Sequence, residues 1–176
     1  MSFSTPPIIC LVGTSNSGKT TLLTTIITEL KGLGYRVGTI KHHQHTFSID
    51  QEGKDSWRHR QAGADTTVIT APSQTAIIKQ TTEQMELQQI ATNYLNDMDI
   101  VLIEGFKNST FPKIEVHRQA QRANLICRGP RNDQNLIAVA SDQSWDIDVP
   151  VFPLDSGRDI AAVSYTHLTL PTKRIV

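Results

Sequence analysis

The stretch GTSNSGKT, residues 13–20, constrains the fold of this chain more than any other. It matches the pattern GxxxxGK[ST] at every fixed position, and it lies between the apolar run IICLV and a helical pattern that starts at Leu22. A glycine-rich loop between a strand and a helix lets successive backbone N–H groups surround a phosphate. The loop therefore predicts a P-loop, the phosphate-binding loop of a nucleotide-binding α/β domain.

Each part of this loop has a predicted task. Gly13 and Gly18 allow the backbone to approach phosphate closely, and the loop N–H groups surround the β-phosphate. Lys19 brings a positive charge to the β- and γ-phosphates, the Thr20 hydroxyl is a ligand for Mg²⁺, and Thr21 contacts a further phosphate oxygen. The predicted phosphate site comprises Gly13, Thr14, Ser15, Asn16, Ser17, Gly18, Lys19, Thr20 and Thr21.

A phosphate-binding loop of this kind needs an acidic side chain near its metal, at the end of a neighbouring strand. Glu104 follows the buried run 100–103, which puts it at the carboxyl end of a strand, where ligands sit in open α/β sheets. The usual acid is aspartate; the longer glutamate suggests contact through a metal-bound water. We predict that Lys19 and Glu104 are catalytic. The predicted magnesium ligands are Thr20, Glu104 and, through water, Asp50.

Apolar runs and helical repeats alternate along the chain. The runs that predict strands are 8–12, 36–41, 66–70, 75–79, 99–103, 113–116, 124–127, 135–140 and 149–152. Several are apolar throughout, as in parallel strands buried on both faces, and others alternate, as in antiparallel or edge strands. Helices are predicted at 22–33, 55–62 and 87–95. This order predicts a three-layer α/β fold of the P-loop NTPase type, with a mostly parallel sheet plus some antiparallel strands.

The composition narrows the class of protein. Seventeen basic and seventeen acidic side chains cancel, so no overall field draws the chain to nucleic acid or to a membrane surface. The two cysteines lie in apolar runs outside any CxxC pair, as expected of reduced thiols. No window approaches the ~20 apolar residues that a membrane span needs. We therefore expect a soluble, cytoplasmic protein.

One domain, residues 1–163, is predicted to bind the nucleotide. From Ser164 onward a proline and alternating threonine and leucine residues stand where such a domain normally closes with an amphipathic helix. We expect a short additional strand there, or a segment foreign to the domain. Residues 164–176 are therefore left unassigned.

Six stretches, read in order, resemble the MobB family, the molybdopterin-guanine dinucleotide biosynthesis adapter proteins. They are GTSNSGKTTLL, GTIKHHQH, DQEGKDSWRHRQAGAD, VLIEGFK, PKIEVHR and LIAVASD, and the resemblance runs from about Ile8 to Ala162. It implies a GTP-binding homodimer with weak GTPase activity at most. It also implies a partner, the guanylyltransferase that converts molybdopterin to its guanine dinucleotide form, together with molybdopterin itself.

A small-molecule kinase that uses the same loop is the alternative. A kinase lid uses arginines, and four of them occur close together: Arg118, Arg122, Arg128 and Arg131. No obvious acceptor base accompanies them, which favours the adapter.

The segment KHHQH, residues 41–45, with His59 contains four of the six histidines. It lacks the pattern of a closed zinc site, because adjacent His42 and His43 diverge and no cysteine is near. Since the segment follows the second strand, Lys41 and His42 are predicted to meet anionic groups of the nucleotide or of a pterin phosphate. Further positive charge is predicted from Lys54, Arg58 and Arg60 on the next helix; a solvated loop and a metal site are the other interpretations.

Asp142 closes the buried run LIAVASD. A carboxylate accepts hydrogen bonds from both N1–H and N2–H₂ of guanine, a pairing that adenine does not offer. We predict that Asp142 reads the base, with an ordinary turn aspartate as the alternative. His117 and His167 are interpreted as surface residues, and Trp57 as a packing anchor for its helix.

Overall fold

The computed structural model describes residues 5–43, 47–129 and 132–169, so His45 and Arg131 lie outside the described residues. Its elements are β1 (Ile8–Val12), α1 (Lys19–Gly32), β2 (Val37–Lys41), α2 (Asp55–Gln61), β3 (Thr66–Ala71), β4 (Gln74–Lys79), α3 (Leu87–Tyr94), β5 (Ile100–Glu104), β6 (Lys113–His117), β7 (Leu136–Ser141), β8 (Val151–Phe152) and α4 (Gly157–Thr169). The chain divides into two compact units, residues 43–90 and the remainder. Across the described ranges, every helix is too short or too polar to cross a membrane.

Six strands form one sheet in the order β2-β5-β1-β6-β7-β8. Every pairing in it is parallel. Strand β1 lies between β5 and β6, and all of its residues are buried, as its continuous apolar run predicts for a strand covered on both faces. The parallel sheet predicted from the sequence is confirmed, and the antiparallel pair is β3 with β4.

Helices α1 and α4 cover one face of the large sheet, and the residues that follow α3 lie against the other. On one face the apolar side of α1, which includes Ile26 and Leu30, packs with Ile160 of α4 against the sheet core. Burying each such side chain contributes about 1.5–3 kcal/mol. On the other face, a Cβ built at Gly38 would lie within 3.0–3.2 Å of Met98 and Leu95, which follow α3. The three-layer α/β fold of the P-loop NTPase type is therefore confirmed.

The unit of residues 43–90 contains α2 and the hairpin of β3 and β4. In this hairpin Val68 pairs with Ile77 and Ile69 pairs with Ala76. Three of these side chains are unusually exposed for their type: Val68 at 58%, Ile69 at 44% and Ile77 at 49%. The hairpin thus presents apolar side chains to solvent.

The predicted strand at 124–127 is wrong. This segment is a loop in which the apolar side chains of Leu125 and Cys127 are buried. The physical reason is a buried carboxylate on β6: Glu115 accepts hydrogen bonds from the backbone N–H groups of Ile126 at 2.6 Å and Cys127 at 2.8 Å. A side chain therefore satisfies the backbone donors that a strand partner would otherwise satisfy.

The additional strand expected from Ser164 is also wrong as far as Thr169, because α4 runs to that residue; the alternative, a segment foreign to the domain, stays a prediction. Ser164 is fully buried, and its hydroxyl donates a 3.0 Å hydrogen bond to the Ile160 carbonyl, which satisfies the polar group inside the helix. The ring of Tyr165 lies 5.5 Å from that of Tyr35. This helix closes the domain, and residues 170–176 lie outside the described residues.

Candidate functional site

The loop between β1 and α1 leaves no room for a side chain at its first glycine. A Cβ at Gly13 would stand 2.3 Å from the carbonyl oxygen of Val116 on β6. At the other end Gly18, with φ of 100°, is the N-cap of α1 and makes no side-chain capping hydrogen bond. The first N–H groups of any α-helix lack partners within the helix. The start of α1 is thus a group of backbone donors that an anion can occupy.

Two polar side chains of the loop, Lys19 and Ser17, differ in what they contact. The Lys19 ammonium donates to the carbonyl oxygen of Thr14, which curls the side chain back over the loop. Burial lowers the pKa of Lys19, Glu104 opposes this shift, and Lys41 adds to it. Ser17 is fully buried, and its hydroxyl oxygen has no hydrogen-bond partner in the described chain.

Glu104 meets the loop from the neighbouring strand. Strand β5 lies between β1 and β2, and in this register Glu104 is paired with both Leu11 and Lys41. Its Oε2 accepts a 3.0 Å hydrogen bond from the Thr20 hydroxyl, and its Oε1 accepts one from the Lys41 ammonium. Four residues predicted from the sequence, Lys19, Thr20, Lys41 and Glu104, are therefore brought together at the carboxyl edge of the sheet.

The charge state of Glu104 follows from these contacts. Burial raises its pKa, but the hydrogen bonds from Lys41 and Thr20 and the positive charges of Lys41 and Lys19 outweigh burial. Its pKa therefore lies below the ordinary value, and the group is a carboxylate at neutral pH.

The donor set fits a magnesium ion. Mg²⁺ takes oxygen ligands at about 2.0–2.1 Å in octahedral geometry, usually one or two carboxylates with waters and substrate phosphates. Adjacent octahedral ligands are then roughly 3 Å apart, and Thr20 Oγ1 lies 3.0 Å from Glu104 Oε2. In the described part of the chain, no group of three or more His, Cys, Asp or Glu side chains is positioned to hold a metal. A magnesium ion here would need phosphate and water as its other ligands.

A cavity of about 640 Å³ opens at the carboxyl ends of β7 and β8. Its lining includes Arg118, Ser141, Asp142, Trp145, Phe152 and Asp155. Asp142 Oδ1 accepts a 2.9 Å hydrogen bond from the Gln119 N–H, which fixes the carboxylate at the cavity wall. The predicted base-reading residue thus lies in a cavity large enough for a nucleobase.

Arg118 is a residue that sequence reasoning did not assign to this site. Its Nη2 lies 3.7 Å from the point that a Cβ at Gly18 would occupy, and it also lines the cavity. Arg118 therefore lies both beside the loop and at the cavity. The sequence did contain a signal for this position. Arg118 directly follows β6, just as Glu104 ends β5, so both residues lie at the carboxyl edge of the sheet.

His117 is buried, so its interpretation as a surface residue is wrong. Ser141 Oγ accepts hydrogen bonds from the Gln143 N–H and the Trp145 indole N–H, both at 3.1 Å, which leaves its own hydrogen for His117 Nδ1. His117 Nε2–H then donates to the Arg122 carbonyl at 2.8 Å. This network assigns the Nε2–H tautomer and fixes the Trp145 wall of the cavity.

Asp50 is engaged within its own unit. Its carboxylate accepts hydrogen bonds from the Ser56 hydroxyl at 2.8 Å and from Arg60 Nε at 3.2 Å, and its side chain is 4% exposed. Arg60 is therefore an ion-pair partner and not a free charge, while Lys54 and Arg58 are exposed. The predicted role of Asp50 at a metal stays a prediction.

The described histidines of the KHHQH segment make aromatic contacts. The ring of His42 lies 4.2 Å from that of Phe106, and the ring of His43 lies 5.7 Å from that of Phe47. The His42 N–H also donates to the Glu104 carbonyl at 3.2 Å. His42 is thereby held against Glu104, the last residue of β5, and against Phe106 just beyond it.

Of the arginines suggested for a kinase lid, Arg122 and Arg128 have other partners, whereas Arg118 lies beside the loop. Arg128 binds both oxygens of Asp148 and donates to the carbonyls of Cys127 and Asp133. Arg122 Nε donates to the carbonyl of Asn124. These contacts hold the loop after β6 together, so Arg122 and Arg128 do not favour the lid interpretation.

The parallel sheet, the glycine-rich loop after β1 and the acidic residue that ends β5 define an α/β protein of the P-loop NTPase type. The family model described as molybdopterin guanine dinucleotide synthesis protein B, MobB, matches residues 8–142. The chain belongs to this family.

Relatives and solved structures agree with this assignment. The chain is 38% identical over 143 residues to the molybdopterin-guanine dinucleotide biosynthesis adapter protein of Haemophilus influenzae, covering 81% of this chain and 78% of the relative. Against the adapter protein of Escherichia coli it is 33% identical over 161 residues, with 88% and 89% covered. A crystal structure of MobB superposes with a TM-score of 0.73 at 30% identity, covering 93% of this chain and 99% of that one. The MobB structure of Bacillus subtilis gives 0.69 at 27% identity, with 95% and 99% covered.

Proposed function

We propose that this protein is a GTP-binding adapter in molybdopterin guanine dinucleotide biosynthesis, with Mg²⁺ as the cofactor of its nucleotide. The main support is the uncapped first turn of α1, which begins with Lys19 and Thr20 and lies beside Glu104. A triphosphate supplies the negative charge that such a helix start favours. The family membership and the names of the relatives support the adapter role, and the two free, buried cysteines favour the cytoplasm.

Guanine specificity is assigned to the cavity beside the loop. Asp142 offers the carboxylate that pairs with N1–H and N2–H₂, and Arg118 lies between this cavity and Gly18. The phosphates in the loop and the base in the cavity can then belong to one nucleotide.

Calorimetry with GTP, GDP and ATP, each with and without Mg²⁺, tests the proposal. We expect GTP to bind with Mg²⁺ and ATP to bind more weakly. Phosphate release from GTP should be slow, and no transfer to small-molecule acceptors should occur. Absence of binding to all three nucleotides would refute the nucleotide function, and transfer to an acceptor would establish the kinase alternative.

The exposed hairpin of β3 and β4 supports the homodimer. Val68 and Ile77 are cross-strand partners and are both about half exposed or more, at 58% and 49%. An isolated two-stranded hairpin is only marginally stable in water, and exposed apolar patches mark interaction sites. A second copy of the chain that covers this hairpin would stabilise it and would bury its exposed apolar side chains.

The oligomeric state is measured by analytical ultracentrifugation. Ile77→Lys should convert the dimer to a monomer, because the ammonium cannot be buried unpaired at the interface. Gln74→Lys, an exposed change at the start of β4, is the matched control and should leave the dimer intact. A monomeric natural chain would rule out the homodimer.

Positive charge on α2 is assigned to recognition of the guanylyltransferase or of molybdopterin. Lys54, the N-cap of this helix, and Arg58 within it are both exposed. Neutralising both should weaken partner binding and reduce its salt dependence, while GTP affinity stays unchanged, since the loop supplies the phosphate contacts. The alternative is a zinc site, and elemental analysis of untagged protein tests it: one tightly held zinc per chain would overturn the assignment of the histidine segment to anion recognition.

A further inference from the structure

Glu104 already has a cation of its own. Its carboxylate is 7% exposed, whereas the side chain of Lys41, which binds Oε1, is 50% exposed. Removing the partner of a mostly buried carboxylate is strongly unfavourable, so this pair stabilises the edge of the sheet. The exposed half of Lys41 gives its ammonium a path to leave.

The position of Lys41 follows from strand pairing. Lys41 and Glu104 are the last residues of β2 and β5 and are register partners in the parallel pair. Parallel partners project from the same face of a sheet, so the register itself brings the ammonium to the carboxylate. Thr20 holds the other oxygen, Oε2. Both oxygens that would serve a metal are thus engaged by protein groups.

We propose that Lys41 is the resident counter-cation of Glu104. A divalent cation reaches Thr20 and Glu104 only when the Lys41 ammonium leaves Oε1. Lys41 thereby sets the affinity of this site for the metal. A divalent ion and an ammonium at one carboxylate repel each other, so the two cations compete. The released ammonium lies at the strand edge next to the loop, where phosphate oxygens accept it. The biological use of this exchange rests on the proposed GTP function, whereas the competition at Glu104 needs no nucleotide.

Thermal melts of the full chain without nucleotide test the competition. Melting temperatures are compared in EDTA and in magnesium chloride at matched ionic strength. In EDTA, Lys41→Met should lower the melting temperature by about 2–6 °C, because Glu104 loses its cation. Magnesium chloride should restore most of that loss in Lys41→Met and change the natural chain little. Equal responses of the two proteins to magnesium would overturn the proposal.

Three further variants separate this effect from a general loss of charge. Lys31→Met removes an exposed lysine in the last turn of α1 and should behave as the natural chain does. Lys41→Arg keeps the cation and should also do so. Adding Glu104→Gln to Lys41→Met should abolish the magnesium response, because the carboxylate ligand is gone; a response that persists would place the metal elsewhere and refute the proposal.

Nucleotide calorimetry gives a second measurement. The GTP dissociation constant in EDTA divided by that in Mg²⁺ should rise about tenfold in Lys41→Met. This factor corresponds to the free energy of one charge-assisted hydrogen bond. If Lys41→Met does not fold, Lys41→Gln replaces it, because its amide still donates to Oε1 as a neutral group. An unchanged ratio in a folded variant contradicts the proposal. Loss of GTP binding in every variant and in the natural chain refutes the proposed function instead, and the melts still decide the role of Lys41.

Discussion

The Val116 carbonyl oxygen of β6 occupies the space that a side chain at Gly13 would need, since a Cβ there would stand 2.3 Å away. The atom is backbone in the middle of a parallel sheet, and it cannot move aside without breaking strand pairing. The glycine is thus required by the packing of the loop against β6, whatever ligand the loop binds.

Gly13→Ala should therefore destabilise the fold and abolish nucleotide binding together. Overpacking against backbone costs about 2–3 kcal/mol, which corresponds to a fall of roughly 4–10 °C in melting temperature. Gly32→Ala is the control: it lies in α1 with nothing within 4 Å of the added Cβ, and it should be neutral or stabilising by up to about 1 kcal/mol. A Gly13→Ala protein as stable as the natural chain would show that the loop does not approach β6 as described.

Lys19→Ala should weaken GTP binding and leave the fold intact. The Lys19 ammonium contacts only the Thr14 carbonyl among the described hydrogen bonds, so its removal leaves no buried charge unpaired. Losing one charge-assisted phosphate contact costs about 1.5–3 kcal/mol, or roughly a 10- to 100-fold rise in the GTP dissociation constant. Calorimetry gives the affinity, and a thermal melt checks the fold. Unchanged GTP affinity would remove the loop from the nucleotide site.

Asp142→Asn should narrow the preference for GTP over ATP. The amide keeps an oxygen for the Gln119 N–H but presents a donor where guanine also has donors, so about 1–3 kcal/mol of discrimination should disappear. Asp155→Asn removes a second carboxylate charge from the same cavity and serves as the control. Equal losses of affinity for GTP and ATP in Asp142→Asn would mean that Asp142 only stabilises the turn that contains it.

The sequence was sufficient to predict the parts of this fold that depend on local pattern. The stretch from Gly13 to Thr20 predicted the loop between β1 and α1, and the apolar run before Glu104 predicted its position at the end of β5. The pairing of Lys41 with Glu104 was not predicted, because it depends on β2 and β5 being neighbours in register. Strand order is a long-range property that local patterns do not contain.

Strand β6 illustrates the other limit. Its polar residues Lys113, Glu115 and His117 alternate with apolar ones, a pattern that suggests a half-exposed strand, yet every residue of β6 is buried. Each of the three finds a partner in the loop that follows: Lys113 in Asp133, Glu115 in the N–H groups of residues 126 and 127, and His117 in the Arg122 carbonyl. Because the strand's own pattern does not show which loop groups will cover it, alternation alone misreads the strand as solvent-facing.

An ion pair at the start of β2 predicts how stability depends on pH. Asp99 accepts hydrogen bonds from the Arg36 backbone N–H at 2.7 Å and from its guanidinium Nη2 at 2.8 Å. These contacts lower the pKa of Asp99 from 3.8 to about 2. A carboxyl whose pKa is lowered in the folded state stabilises the fold above its unfolded pKa and ceases to do so as pH falls through its folded pKa.

Asp99→Asn should therefore melt below the natural chain at pH 6, and the difference should shrink as pH falls from about 4 toward 2. Asp146→Asn changes an exposed carboxylate outside this pair and should show no such trend. A difference that stays constant across this pH range would mean that the charge of Asp99 is not what stabilises the contact.

The two thiols should be inert in the folded protein. Cys10 is 0% exposed and Cys127 is 1% exposed. Burial raises the pKa of both, and that of Cys127 reaches about 12 with the negative charge of Glu115 beside it. Because the thiolate is the reactive form, neither group should react with iodoacetamide at pH 8 until the chain unfolds. Mass spectrometry after labelling should find no adducts in buffer and two per chain in concentrated urea.

Glu115→Gln, which keeps a side-chain oxygen for one loop N–H but removes the charge, should loosen the segment over Cys127. Cys127 should then be labelled before Cys10. Rapid labelling of Cys127 in the natural chain would contradict the buried loop packing described for residues 124–127.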